Sequence, residues 1–198
     1  MHTFLSLVIG YLLGSLSPSA LIGKIKNIDL RSNGTRNLGA SNTLILVGRS
    51  YGAFVMIFDV LKSYVSVKIA QALFPTFSFA GILAGGASIV GHIFPFYLRF
   101  KGGKGLASFG GMILGLDPGL FVLLLVISGT FMLLTNYGVA MPMSAGVLFP
   151  LAYGFRRGDI ILFFIAMCIS VLVIIKHWSD LGKALRKENM SIREIIKK

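Results

Sequence analysis

A short glycine-rich and cationic segment contains the residues of this sequence whose types and spacing best suit chemistry. Between Arg99 and Gly105, which we call the glycine loop, the chain places three cations and three glycines within seven residues. Glycine adopts positive φ at little steric cost, so several N–H groups of such a loop can point at one anion. The lysines would add point charges, and a helix beginning at Leu106 would add the positive end of its dipole. The segment therefore predicts a phosphate site. A basic loop that only orients helices is the alternative, because the Walker spacing is absent. The candidate phosphate-binding residues are Lys101, Gly102, Gly103, Lys104 and Gly105.

The most polar part of the chain lies between Lys24 and Asn42, and we call it the polar loop. Its asparagines, glycines, hydroxyls and arginines offer many hydrogen bonds and little apolar surface to bury. A plain tether between two helices does not need so dense a mixture, so we interpret the segment as functional and keep the tether as the alternative. Its candidate phosphate-binding residues are Arg36, Asn37, Gly39, Ser41 and Asn42.

The composition is that of an integral membrane protein. Of the 198 residues, 55% are hydrophobic and 13% are charged, whereas soluble domains carry about 25% charged residues. The net charge of +12 is spread over several loops, which favours contact with anionic lipid over binding to nucleic acid. The single cysteine, Cys168, rules out an internal disulfide, and we expect it in the core. We expect neither a metal ion nor a cofactor.

Seven apolar segments predict an all-α protein with about seven transmembrane helices. Pro18 is expected to kink the first span. The fourth span is short, so a re-entrant segment is its alternative. Turns are expected at 117–119, 135–138 and 154–159. We expect one membrane-embedded domain over 1–198, in which 177–198 is a basic amphipathic tail on the cytoplasmic membrane surface, with apolar positions at Leu181, Leu185, Ile192, Ile195 and Ile196. The spans are expected at about 4–23, 50–74, 76–98, 106–116, 120–134, 139–153 and 160–175.

The distribution of the cations predicts the orientation. With the N-terminus outside, most of the 19 lysines and arginines lie on the cytoplasmic side, as the positive-inside rule requires. The polar loop, the glycine loop and the segment around His177 then meet at one cytoplasmic face. We therefore expect a multi-pass membrane protein whose active face lies in the cytoplasm.

Three ionisable residues lie within the second predicted span. Asp59 and Lys62 are three residues apart and share a helix face, so we expect them to pair. Lys68 is expected to snorkel or to line a cavity. Near the end of the third span, His92 is interpreted either as a satisfied hydrogen-bonding residue or as a substrate contact.

A basic surface at the edge of the bilayer suits a phosphorylated molecule related to lipid. Acyl transfer on such a surface needs an activated hydroxyl and N–H donors for the developing oxyanion. The groups available for this are His92, His177, Thr35 and the amides of the glycine loop. No carboxylate stands out as a base, since Asp29 and Asp180 are better explained as structural residues.

The same residues resemble a known family, the bacterial acyl-phosphate-dependent glycerol-3-phosphate acyltransferases. The match is strong over residues 10–110 and weaker afterwards, where His177 is its main marker. The motifs that carry it are His92-Ile93-Phe94-Pro95, Phe100-Lys101-Gly102-Gly103-Lys104-Gly105-Leu106-Ala107, Tyr11-Leu12-Leu13-Gly14-Ser15-Leu16, Asp29-Leu30-Arg31, Gly34-Thr35, Asn37-Leu38-Gly39-Ala40-Ser41-Asn42 and Asp59-Val60-Leu61-Lys62.

The resemblance implies a seven-span enzyme of phospholipid synthesis. Its members move a fatty acyl group from acyl phosphate to the 1-hydroxyl of glycerol 3-phosphate, which gives lysophosphatidic acid and phosphate. By match, Thr35 stands where the family has a functional serine, Lys104 and its glycines would hold phosphate, and His177 would line the acceptor site. His92 and Asp180 would be further substrate contacts.

Several positions depart from the family pattern. Arg36 replaces a glycine of a Gly-Ser-Gly-Asn motif, and Ile45 stands where an arginine is usual. Asn136 and Val139 replace an arginine and a serine, and Asp180 replaces an asparagine in the tail motif. The lost arginines and the change from asparagine to Asp180 remove positive charge where an anionic acceptor would sit, and Arg36 would compensate for part of this loss. Either the site is rebuilt, or the protein acylates another acceptor, or activity is lost.

Two rivals come from other functional classes. A transporter of a lipid phosphate would be expected to show internal repeats or paired broken spans, which the sequence does not show. A scaffold without enzymatic activity would bind partner proteins through the basic tail.

Overall fold

The computed structural model describes residues 1–186 and 188, and every regular element in them is a helix. This confirms the predicted all-α class. The chain forms two compact units, Met1–Leu116 and Asp117–Lys198. The first contains α1 (His2–Ser15), α2 (Pro18–Ile25), α3 (Ala40–Leu46), α4 (Arg49–Leu73), α5 (Ala80–Ile93), a 3₁₀ turn (Phe96–Leu98) and α6 (Leu106–Leu116). The second contains α7 (Pro118–Thr135), α8 (Ala140–Arg157) and α9 (Ile160–Leu185).

Within the described residues, four helical stretches have the length and apolar composition to cross a membrane: His2–Ile25, Ala80–Leu98, Pro118–Thr135 and Ile160–Leu185. The helix Leu106–Leu116 is apolar but shorter. With 25 residues, α4 reaches about 37 Å at 1.5 Å per residue, which exceeds the roughly 30 Å hydrocarbon core. The lengths and compositions of these helices are those of an integral membrane protein. The number and the orientation of the spans stay predictions.

The first predicted span is interrupted rather than kinked. Helix α1 ends at Ser15 and α2 begins at Pro18, because proline fits the first helical position, where its missing N–H costs no hydrogen bond. The hydroxyl of Ser17 accepts from the N–H of Ala20 at 3.4 Å and caps the new helix. The carbonyls beside the interruption therefore need partners from elsewhere.

Close contacts at glycine arrange the helices of the first unit. Helix α1 packs against α5, and α4 packs against α6. A Cβ on Gly10 would collide with the Ala84 carbonyl, and one on Gly14 would collide with the Ser88 carbonyl. Because the two residue numbers increase together, α1 and α5 run parallel. The end of α1 that leads to the polar loop thus lies beside the end of α5 that leads to the glycine loop.

Two predicted loop boundaries in the first unit differ from the structure. The polar loop was expected to reach Asn42, but α3 begins at Ala40, so that Ser41 and Asn42 are helical. The third span was expected over 76–98, whereas α5 covers Ala80–Ile93 and a single 3₁₀ turn follows Pro95. The residue before a proline disfavours the helical conformation, which explains the end of α5.

Two predicted turns in the second unit are largely helical. Asp117 Oδ1 accepts from the N–H of Leu120 at 2.9 Å and caps α7, in which Pro118 and Gly119 form the first turn. Helix α8 continues through Gly154 to Arg157. The composition of these segments suggested turns because aspartate and proline favour turns and helix starts alike.

Helix α9 extends ten residues beyond the predicted end at Ile175, to Leu185. His177 therefore lies within a continuous helix instead of in a separate tail. Lys187 and residues 189–198, with Ile192, Ile195 and Ile196, lie outside the described residues. Cys168 is exposed on α9, so the expectation that it packs in the core is wrong.

Candidate functional site

The interruption of the first span is braced by side chains from two other segments. The Tyr97 hydroxyl donates to the Ser15 carbonyl at 2.8 Å and accepts from the Ser17 N–H at 3.1 Å. The Lys62 ammonium donates to the Leu16 carbonyl at 2.7 Å. These bonds satisfy backbone groups that the helix break leaves without helical partners.

Lys62 belongs to a buried ionic cluster with Asp59 and His92. Its Nζ lies 2.7 Å from Asp59 Oδ1 and 2.9 Å from His92 Nδ1. The ring nitrogen is also 3.3 Å from the same carboxylate oxygen. The predicted Asp59–Lys62 pair is confirmed, and His92 is a buried hydrogen-bonding partner in it. Lys68, by contrast, is exposed near Gln71 and the Tyr64 ring.

Asn42 organises the polar loop from within α3. Its side-chain N–H groups donate to the carbonyls of Leu30 at 2.7 Å and Asn33 at 3.2 Å. Its oxygen accepts from the Thr35 N–H at 2.7 Å. Both amide hydrogens are used inside the loop, and the residue is fully buried. The prediction that Asn42 contacts phosphate is therefore corrected to a role in positioning Thr35.

The candidate residues around Thr35 lie at the surface. Thr35, Arg36 and Ser41 are exposed, and Asn37 is half-buried. Arg36 adopts a left-handed conformation with φ of 56°. Gly39 is buried and caps α3, where its carbonyl accepts from the N–H and hydroxyl of Thr43. The side chains of Thr35 and Arg36 thus lie on the protein surface, on a loop that the buried Asn42 holds in place.

Asp29 accepts hydrogen bonds from the residues that follow it at the start of the same loop. Its Oδ1 accepts from the backbone N–H of Arg31 at 2.9 Å, and this bond lowers the pKa of the exposed Asp29 carboxyl below its usual value. Its carbonyl accepts from the N–H of Asn33 at 3.2 Å. Asp29 is structural, as the sequence suggested.

The glycine loop folds back onto the end of α5. The N–H of Gly102 donates to the Ile93 carbonyl and that of Gly103 to the His92 carbonyl, each at 3.0 Å. The loop itself uses these two amides in this structure, and the assignment of Gly102 and Gly103 to a phosphate site stays a prediction. Gly105 has φ of 89°, a conformation that favours glycine. Lys101 is exposed and Lys104 is half-buried.

The polar loop and the glycine loop meet in the first unit. A Cβ added to Gly103 would lie 2.6 Å from the Leu38 carbonyl and would collide with His92 Nε2. Only glycine fits between a backbone carbonyl and an imidazole edge at this distance. The structure thus places the predicted phosphate segments side by side, with His92 beneath their contact.

A cleft of 510 Å³ opens beside this contact. Leu30, Leu38 and Leu98 give it an apolar part, while Lys24 and Arg31 add cations. Both residues belong to the polar loop but were not among its candidate phosphate-binding residues. Lys24 lies in the last turn of α2 and Arg31 in the loop that follows, and the two residues line one opening.

The second unit contributes the remaining candidates. His177 is buried in α9, and its Nδ1 lies 2.9 Å from the Val173 carbonyl. Because a carbonyl only accepts, Nδ1 carries the proton, and in the neutral ring Nε2 is the acceptor. Asp180 lies one turn further along and is half-buried. Asn136 ends α7 with φ of 60°, a conformation that asparagine tolerates.

Comparison with known proteins gives a consistent result. A protein-family model described as glycerol-3-phosphate acyltransferase matches residues 4–187. The glycerol-3-phosphate acyltransferase of Macrococcus caseolyticus is 38% identical, over 93% of this chain and 94% of that protein. The enzyme of that name from Bacillus subtilis is 30% identical, over 96% and 97%.

Two solved structures share the architecture of the whole chain. Both are of PlsY (YgiH), an integral membrane glycerol 3-phosphate acyltransferase. The glycerol 3-phosphate form has a TM-score of 0.85 and 28% identity, and covers 96% of each chain. The lysophosphatidic acid form has a TM-score of 0.86 and 27% identity, and covers 100% of each chain. Sequence and structure agree over almost the full length, and the chain belongs to the glycerol-3-phosphate acyltransferase family.

Proposed function

We propose that this protein transfers a fatty acyl group from acyl phosphate to the 1-hydroxyl of glycerol 3-phosphate. The products are lysophosphatidic acid and inorganic phosphate, and the reaction serves phospholipid synthesis. The observation that carries this proposal is the full-length match to PlsY structures in forms with glycerol 3-phosphate and with lysophosphatidic acid. Membrane lipid is the further partner, because the substrate's acyl chain and the product partition into the bilayer.

The glycine loop supplies the phosphate-binding charge. Its two central amides are engaged with α5, so the attraction falls to the ammonium groups of Lys101 and Lys104 and to the N-terminal end of α6. A helix N-terminus carries roughly half a positive charge. Ammonium groups act as point charges that stabilise the leaving phosphate as its charge develops.

The polar loop supplies the groups that hold the second substrate. The exposed Thr35 hydroxyl can donate to an oxyanion or a phosphate oxygen, and Arg36 beside it offers a planar, permanently charged group. Asn37 and Ser41 add hydrogen bonds at the same surface. The bond from the Thr35 N–H to Asn42 Oδ1 at 2.7 Å holds the backbone that carries this hydroxyl before substrate arrives.

Proton transfer from the attacking hydroxyl needs an acceptor. The Nδ1–H of His177 is directed to the Val173 carbonyl, which leaves Nε2 as the basic nitrogen of the neutral ring. We assign His177 to orient the acceptor hydroxyl and to accept its proton.

The topology follows from the cations. We propose seven crossings of a bacterial inner membrane, with the N-terminus outside and the active face in the cytoplasm, in a single membrane-embedded domain over residues 1–198. The parallel packing of α1 and α5 supports this, since both then cross in the same direction.

A different acceptor is the second candidate. Ile45 and Asp180 replace an arginine and an asparagine of the family pattern, and both changes make the site less positive. A less anionic hydroxyl or amine would suit such a site better than glycerol 3-phosphate does.

A detergent assay of the purified protein decides between them. We expect phosphate release from palmitoyl phosphate to require glycerol 3-phosphate and to match the lysophosphatidic acid formed. Lys104→Ala should reduce turnover about 100-fold, while Lys68→Ala, on an exposed lysine of α4, should leave it unchanged. Release without lysophosphatidic acid would favour the other acceptor. No release at all would overturn the enzymatic proposal in favour of a transporter or scaffold.

A further inference from the structure

The buried ammonium of Lys62 has a full set of partners. It contacts Asp59 Oδ1 at 2.7 Å, the Leu16 carbonyl at 2.7 Å and His92 Nδ1 at 2.9 Å. An ammonium carries three N–H donors, and three acceptors surround it here. A buried ion pair is maintained only when close partners replace the water that its charges have lost. The three acceptors come from α4 itself, from the interruption after α1 and from α5.

The same contacts hold one edge of the His92 ring. His92 Nδ1 lies 2.9 Å from Lys62 Nζ and 3.3 Å from Asp59 Oδ1, so both members of the ion pair contact this nitrogen. The Nε2 edge faces Gly103, where a Cβ would collide with it. The carbonyl of His92 meanwhile accepts from the Gly103 N–H at 3.0 Å.

We propose that Asp59, Lys62 and His92 are positioning residues for the glycine loop. The ion pair holds the imidazole in one orientation, and the imidazole and its backbone carbonyl hold Gly103 from two sides. Lys104 follows Gly103 directly, so this cluster positions the backbone that carries the Lys104 side chain. The inference rests on the proposed function only in assigning Lys101 and Lys104 to the phosphate of the substrate.

The strain of the adjoining backbone supports this role. Arg99 and Phe100 are consecutive residues with φ of 56° and 58°. Two non-glycine residues in this conformation persist only where the surroundings over-determine the backbone. The backbone of the glycine loop is therefore strained at its first two residues, and hydrogen bonds to α5 hold it at Gly102 and Gly103.

The main comparison in the test is between substitutions in α4. Asp59→Asn combined with Lys62→Met removes the ion pair without leaving a buried charge, and Lys68→Met is the matched control. Amide hydrogen exchange is followed in peptides covering residues 96–106 and in peptides of α8. A second variant, His92→Asn, keeps an oxygen that can accept from Lys62 but removes the ring edge beside Gly103.

We expect the 96–106 peptides to exchange about tenfold faster in the double variant and in His92→Asn, with α8 unchanged. The KM for palmitoyl phosphate should rise more than kcat falls, and Lys68→Met should match the wild type in both measurements. If the double variant does not fold, His92→Asn alone decides. Unchanged exchange at 96–106, or equal acceleration throughout the chain, would overturn the positioning role. Absence of lysophosphatidic acid formation by the wild type would contradict the proposed function alone, since exchange is measured without substrate.

Discussion

Several residues of the two candidate loops have backbones that their side chains disfavour. Arg36, Arg99 and Phe100 adopt φ between 56° and 58°, a left-handed conformation that costs a residue with a Cβ about 1–2 kcal/mol. The departure of Arg36 from the family's glycine therefore falls at a position whose conformation favours glycine. Arg36 holds this conformation with local backbone strain.

This strain can be separated from the charge of Arg36 by two substitutions. Arg36→Gly and Arg36→Ala both remove the guanidinium, but only alanine keeps the left-handed penalty. We expect Arg36→Ala to be about 1 kcal/mol less stable than Arg36→Gly, measured by thermal unfolding in detergent. Both should raise the KM for glycerol 3-phosphate equally if the guanidinium binds it. Equal stabilities would show that the backbone of this residue relaxes.

Asn42 shows why residue type alone misleads about role. The sequence places it in a polar stretch with other hydrogen-bonding residues, and nothing in composition distinguishes a phosphate ligand from an internal cap. The fold separates them, because α3 begins before Asn42 and turns its side chain beneath the loop. Thr35 and Arg36 could be predicted as surface candidates. The hydrogen bonds of Asn42 that hold their loop could not be predicted.

Substitution of Asn42 should therefore affect stability and activity together. Asn42→Leu would leave the Thr35 N–H and two loop carbonyls without their partner, at a cost of about 2–3 kcal/mol. Ser41→Ala, at an exposed neighbouring position, should change stability by less than about 0.5 kcal/mol. Thermal unfolding and the rate of acyl transfer are the measurements. A stable Asn42→Leu protein would show that the loop does not depend on this amide.

The helical class was predicted well, and the ends of the helices were predicted poorly. The apolar runs locate α4, α6 and α7 within two residues, because burial of a long apolar segment leaves little choice. Their ends depend on single hydrogen bonds, such as those of Asp117 and Ser17, which composition does not reveal. The interruption at Leu16 was missed because its stabilising partners, Lys62 and Tyr97, are distant in sequence.

Glycines at helix contacts provide a test at the level of elements. Gly111 of α6 faces the Val60 carbonyl, whereas Gly129 of α7 has open space around its Cα. Gly111→Ala should destabilise the protein by about 1–3 kcal/mol through overpacking. Gly129→Ala should stabilise it by up to about 1 kcal/mol through helix propensity. Thermal unfolding of both proteins checks this, and a stable Gly111→Ala protein would mean that α4 and α6 separate readily.

For the whole molecule, class and membrane character follow from composition, while the arrangement of the site does not. The sequence groups the polar loop, the glycine loop and His177 only through the assumed orientation. The structure brings the first two together at Leu38 and Gly103. It does so because α1 and α5 run parallel, which depends on glycine contacts that no local pattern predicts.

The orientation is open to a direct measurement. In a Cys168→Ser background, Ser32→Cys reports on the polar loop and Arg157→Cys on the end of α8. With the N-terminus outside, a membrane-impermeant maleimide should label Arg157→Cys in intact cells and Ser32→Cys only after permeabilisation. The reverse pattern would place the candidate site on the outer side and remove the cytoplasmic assignment.

The ionic cluster also bears on how the chain enters its membrane. Asp59 and Lys62 lie three residues apart on α4, so they can pair as soon as this helix forms, and the Leu16 carbonyl of the preceding segment is a further partner of Lys62 in the folded protein. Charged groups insert poorly by themselves, so we expect the nascent α4 to enter the bilayer together with α1. His92 is synthesised some thirty residues later, and the cluster is complete only when that residue arrives.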